Sequence, residues 1–163
     1  MSLDFFRSKC QEAPRTNIMF GLCDDQDGKI AYTDVVNPDK WIATVNNANH
    51  REVVFTAIDK CVLLDEEFKG RGRCDGMLTT VDSLYLVELK DKEPPWLEIA
   101  IAQLESTIQF LDENHDLSTY KKRKAYACNK KRDRFVVFDN EKNARFFKKT
   151  TFRLDAQAEI LIF

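Results

Sequence analysis

Hydrophobic runs divide this chain into a strand-rich first half and a strand–helix–strand second half. Ile18 to Cys23 and Ile30 to Val36 are bulky runs on either side of Asp24-Asp25-Gln26-Asp27-Gly28, a pattern that predicts a hairpin. The acidic turn has the composition of a calcium loop but not its spacing, because counting back from Gly28 puts the first loop position at Cys23. Trp41 to Val45 and Glu52 to Ile58 predict further strands, and Lys60 to Leu64 continues or restarts one. Ahead of these, Leu3, Phe6 and Cys10 predict a short helix ending before Pro14.

The second half carries the clearest pattern. Met77 to Val81 and Leu84 to Leu89 flank the turn pair Asp82-Ser83, which predicts a β-hairpin with Val81 opposite Leu84. Counting back, Met77 falls opposite Glu88 and Asp75 opposite Lys90. Side chains alternate faces along a strand, so Asp75, Met77, Glu88 and Lys90 share one face while Val87 and Leu89 point to the other as core. Pro94-Pro95 then breaks the strand. From Trp96 to Asn114, Leu97, Ile101, Leu104, Ile108 and Leu111 recur at helical spacing and predict an amphipathic helix.

Two acids and an amine on one strand face need an explanation, because charged groups are rarely buried unless paired or bound to a cation. Converging carboxylates repel each other and favour a divalent ion such as Mg²⁺, which takes oxygen ligands. A neighbouring Lys90 would stabilise charge on a phosphate or hold an attacking water. The plainer alternative is a half-exposed edge strand with an Asp75–Lys90 salt bridge worth ~0.2–1 kcal/mol.

An Asp, about a dozen residues, then Glu-x-Lys at the end of an apolar strand followed by a helix resembles the PD-(D/E)XK nuclease superfamily. The resemblance covers about residues 60–128, with Cys74 where the name-giving motif has Pro. It implies that Asp75 and Glu88 bind Mg²⁺ or Mn²⁺, that the Leu89 carbonyl adds a ligand, and that Lys90 assists phosphodiester hydrolysis, making Asp75, Glu88 and Lys90 the catalytic set. Some members carry a Gln-x-x-x-Tyr element on the following helix. Here Gln103 matches and Thr107 replaces the Tyr, so Gln103 is either a site-supporting residue or a solvated helix position. The family also often places an acid on an N-terminal helix, for which Glu12, Glu52 and Glu66 compete without a choice among them.

Charge adds a second feature. Residues 1–114 hold 12 Lys/Arg against 21 Asp/Glu, a balance of −9, whereas residues 115–163 hold 13 against 6, a balance of +7. Lys121, Lys122, Arg123, Lys130, Lys131 and Arg132, interleaved with aromatics, form a candidate nucleic-acid-binding set, since phosphate backbones are bound largely by charge. Solvation of loops and sheet edges is the alternative reading. The Lys69-Gly-Arg-Gly-Arg73 stretch is a phosphate-contacting loop or, more simply, a connector.

At 163 residues and 44% hydrophobic, the chain reads as one domain, residues 1–163, with a β-rich part at 16–58. No run of eighteen apolar residues is present and no basic-then-apolar leader opens the sequence. Five cysteines without a Cys-x-x-Cys pair predict reduced thiols, a cytoplasmic setting and no zinc site, with Cys74 a small buried residue. The fold class is α/β: a mixed central β-sheet, a long helix after the Glu-x-Lys strand, and a restriction-endonuclease-like core with extra N-terminal strands. The expected function is Mg²⁺- or Mn²⁺-dependent hydrolysis of nucleic acid, DNA first, without membrane association and with room for a homodimer. The alternatives are an inactive homologue that binds nucleic acid or protein, and a structural β-rich interaction protein.

Overall fold

A computed structural model describes residues 3–64, 66–68, 70–93, 95–131 and 140–163. The described strands form two mixed sheets. The five-stranded sheet has the order β4 (Val54–Ala57), β5 (Gly76–Thr79), β6 (Ser83–Lys90), β7 (Lys122–Asn129) and β8 (Arg153–Asp155). The four-stranded sheet has the order β2 (Tyr32–Asp34), β1 (Met19–Cys23), β3 (Ala43–Asn46) and β9 (Glu159–Leu161).

In the larger sheet β4, β5 and β6 are antiparallel, and β6, β7 and β8 are parallel. Parallel neighbours need crossover connections. Here α1 (Leu97–Asn114) links β6 to β7, and α2 (Asn140–Thr150) precedes β8. Helix α1 forms where the apolar spacing predicts: Ile101, Leu104, Ile108 and Leu111 are buried, packed with Met77, Leu84, Leu86, Ala125 and Ala127. Phe146 of α2 joins the same cluster. The opposite sheet face, with Leu78, Tyr85, Val87, Leu89, Tyr126 and Cys128, packs on Phe20, Leu22, Val45 and Ile160 of the smaller sheet. The three layers are therefore helices, large sheet and small sheet. Strand β6 is sandwiched on both faces, which explains why seven of its eight residues are buried.

Several expectations shift. The N-terminal helix is only a 3₁₀ turn over Ser8–Cys10, after which Glu12 and Arg15 donate backbone hydrogen bonds to the Phe55 and Val53 carbonyls and cover the edge of β4. Lys60 to Leu64 is a turn with one isolated bridge, Asp59 to Leu63, rather than a strand. Cys10 and Cys61 are joined in a disulfide, which corrects the expectation of five reduced thiols; the pairing of Gln11 with Thr56 brings these distant segments together. Cys23, Cys74 and Cys128 are free and buried.

Candidate functional site

The turn between β5 and β6 sets the site. Its tip is Val81-Asp82, not Asp82-Ser83: Thr80 N–H donates to the Ser83 carbonyl at 2.9 Å, and Ser83 N–H donates to Thr80 Oγ1 at 3.1 Å. Arg51 holds Asp82 in place at 2.8 Å. Thr79 then pairs with Leu84, Met77 with Leu86 and Gly76 with Val87. Moving the tip by one residue shifts every partner by two, so the faces survive while the pairs change. Met77 lies across from Leu86, not Glu88, and Asp75, one residue beyond the last pair, acts on Glu88 rather than pairing with Lys90.

Asp75 is fixed from three sides. Its N–H donates to the Val87 carbonyl at 3.1 Å, its carbonyl accepts from Ile58 N–H at 3.0 Å, and its Oδ2 accepts from Leu89 N–H at 2.7 Å. Leu89 thus enters the site through its N–H. Next in the chain, Gly76 leaves room for Phe55, whose ring would lie 2.4 Å from an added Cβ. On the other side, Cys74 N–H donates to Thr107 Oγ1 at 2.8 Å, and that hydroxyl donates to the Gln103 carbonyl at 2.8 Å. Thr107, read from sequence only as a missing Tyr, ties the strand carrying Asp75 to α1.

Glu88 is 1% exposed and Asp75 is 8% exposed. Burial pushes the Glu88 carboxyl well above its usual range, and the charge and hydrogen bonding of Asp75 push it further; Lys90, two residues along the same face, offsets this in part. Among the described residues Glu88 Oε2 is a buried oxygen without a hydrogen-bond partner, and so is Gln103 Oε1. Gln103 lies beneath the 70–73 connector, where an added Cβ on Gly72 would sit 3.1 Å from the Gln103 Cα.

A third acid comes from the turn after β1. Burial raises the Asp24 carboxyl to about 6, with a further push from the charge and hydrogen bonding of the Asp75 side chain, while Gln26 N–H, 2.9 Å from Asp24 Oδ1, opposes the shift. Sequence reasoning rejected a calcium loop here, took the stretch as a hairpin turn, and missed the link from Asp24 to Asp75. Glu12 is engaged elsewhere, accepting from the Thr33 N–H and hydroxyl, and Glu52 and Glu66 are exposed. Asp59, whose charge also raises Glu88, is paired with Arg73 at 3.1 Å and Lys60 at 3.0 Å. Among the described residues no group of three or more His, Cys, Asp or Glu is already arranged to hold a metal ion. Asp75 interacts with Glu88 and with Asp24, but the three do not close into such a set.

The basic residues do not form one patch. Lys130 and Lys131 follow β7 at the Glu88 end, since Asn129 pairs with Lys90. Lys130 Nζ donates to the Asp39 carbonyl at 2.6 Å, and Lys131 Nζ lies 3.8 Å from Asp91. Lys121, Lys122 and Arg123 sit at the start of β7 beside Ser83 and Leu84. At ~3.3 Å per residue that is ~13–20 Å from Glu88. Arg132 lies outside the described residues.

No family model, no curated protein and no solved structure matches this chain.

Proposed function

We propose that this chain is a metal-dependent nuclease-like protein that hydrolyses phosphodiester bonds in DNA or another nucleic acid, built on a restriction-endonuclease-like core. The order of elements supports the reading: an antiparallel hairpin, a crossover helix, then a parallel strand beside the Glu-x-Lys strand. The observation that carries it is the Asp75–Glu88 pair, two nearly buried carboxylates beside each other, one with an oxygen that has no hydrogen-bond partner among the described residues. Burying uncompensated charge is costly, and such arrangements concentrate at functional sites.

Asp75 and Glu88 are the residues that would hold Mg²⁺ or Mn²⁺, with Asp24 adding negative charge beside Asp75. Such an ion, when bound, polarises a phosphate and lowers the pKa of a bound water. Asp75 is oriented by the Leu89 N–H, and Lys90 supplies positive charge beside Glu88, suited to neutralising a developing phosphorane or fixing the attacking water. Lys130 and Lys131, at the same end of the sheet, add positive charge that would attract a phosphate backbone. The cytoplasm is the proposed setting. Three buried free thiols and the lack of any described helix long and apolar enough to cross a membrane accord with it, and the Cys10–Cys61 disulfide counts against it.

The test is cleavage of supercoiled, linear, single-stranded and branched DNA and of RNA, with Mg²⁺ and Mn²⁺ supplied separately. Lys90→Ala should abolish cleavage with nucleic-acid affinity nearly intact, because its charge acts on the transition state more than on bound substrate. Asp75→Asn should lose activity as well. If wild type cleaves none of these substrates, the inactive binding module becomes the better reading.

A further inference from the structure

At the end of the sheet away from the acids, a cleft of about 380 Å³ opens between the start of β7, α2 and β8. Lys121, Lys122, Arg123 and Arg153 line it, and no acidic side chain does. Those four cations enter no ion pair with a described residue, whereas Lys124, also in the wall, is held by Asp155 at 2.8 Å. Three rings complete the cleft: Tyr85, which is buried in its floor, and Phe147 and Phe163, which are 43% and 53% exposed. Each exposed ring has a cation beside it: the Arg153 guanidinium is 5.0 Å from the Phe147 centroid, and Lys122 Nζ is 5.1 Å from that of Phe163.

We infer that this cleft binds a single-stranded nucleic acid, with bases on Phe147 and Phe163 and phosphates on Lys121, Lys122, Arg123 and Arg153. Unpaired cations interleaved with exposed rings are the arrangement that single strands require, since every base has a flat face and each phosphate a charge. A duplex hides its base faces and would use only the cations. An acidic peptide or an anionic lipid surface would leave the pairing of each exposed ring with a cation unexplained. The volume also suits a nucleotide-sized group. The inference deepens the nucleic-acid reading above by naming a strand class, and it does not depend on cleavage.

Fluorescence anisotropy in EDTA, with a labelled oligothymidine of about twelve nucleotides, tests it. An abasic strand of the same length, a duplex and anionic phospholipid vesicles serve as competitors. Wild type should bind the oligothymidine about tenfold or more tightly than the abasic strand, and Phe147→Ala should weaken oligothymidine binding about tenfold. The double variant Lys121→Glu/Lys122→Glu should weaken it too and flatten the salt slope by about 0.7 per lost phosphate contact. Phe147 and both lysines are exposed, so circular dichroism should report unchanged folding in these variants. Equal affinity for the abasic strand, preference for duplex, competition by vesicles alone, or no effect of Phe147→Ala would each overturn the inference. Cleavage by wild type, measured in parallel with Mg²⁺, keeps the two proposals apart: cleavage without oligothymidine binding at the cleft removes only the cleft, and binding without cleavage removes only the nuclease.

Discussion

At the Glu88 end of the β6–β7 pair two carboxylates are buried, one with an oxygen that has no hydrogen-bond partner among the described residues, whereas at the Ser83 end Lys121 and Lys122 are exposed to solvent. The strands are the same and run in parallel, so the difference lies in what covers them. Around Glu88 the helix layer, the 70–73 connector and the turn carrying Asp24 exclude water, and each carboxylate then feels its neighbours strongly. Around Lys121 solvent screens the charges, and repulsion among them costs little. The buried end is therefore the stronger indicator of chemistry, and the exposed end of a recognition surface.

The largest stability effect should fall where the buried end is tied down. Thr107→Val removes the acceptor of the Cys74 N–H, a group with no exposure to water, and should cost ~1–3 kcal/mol. Thr107→Ser keeps the acceptor and should retain most of the stability. Denaturant midpoints of the two variants settle this, and equal losses would mean that methyl packing, not the hydrogen bond, holds the strand to α1.

A pH effect of opposite sign comes next. The folded chain holds Asp24 at about 6 against a usual 3.8, and Glu88 well above a usual 4.5. Folded acids with raised pKa values bind protons more tightly than unfolded ones, so metal-free protein is favoured below about 4 and loses stability as pH rises through 6 and beyond. Glu88→Gln removes part of that loss and should raise the melting temperature at neutral pH while leaving it little changed near pH 4. Thermal melts in EDTA across this range check it; a destabilised Glu88→Gln at neutral pH would show that the carboxylate is satisfied and break the comparison.

The smallest effect belongs to the exposed end. Lys121→Ala, at an exposed position with no ion-pair partner among the described residues, should change stability by less than ~0.5 kcal/mol. A larger loss would place Lys121 in a structural role.

Period-two alternation made the shared face of Asp75, Glu88 and Lys90 legible, because it survives a one-residue error in the turn. The pairing itself was not, since the tip is chosen by a network of Thr80, Asp82 and Ser83 with Arg51, a residue 31 positions away from Asp82. Helix α1 was legible from its apolar stripe, but the parallel pairing of the strand after it was not. Asp24 was not, because its link to Asp75 is tertiary. Adjacent basic runs misled for a related reason: a strand of eight residues carries its two ends ~20 Å apart, so neighbours in the chart of charges became occupants of opposite rims. Cys10 and Cys61 were likewise indistinguishable from unpaired thiols until the N-terminal segment was laid along β4.

The central claim is that the buried Asp75–Glu88 pair exists to take a divalent cation. Titration calorimetry with Mn²⁺ tests it directly, on wild type and on Glu88→Gln, which keeps the shape of the side chain and removes its charge. Wild type should bind Mn²⁺ at a defined site, and Glu88→Gln should show that site lost. Equal Mn²⁺ binding by the two proteins, or none by wild type, would contradict the account.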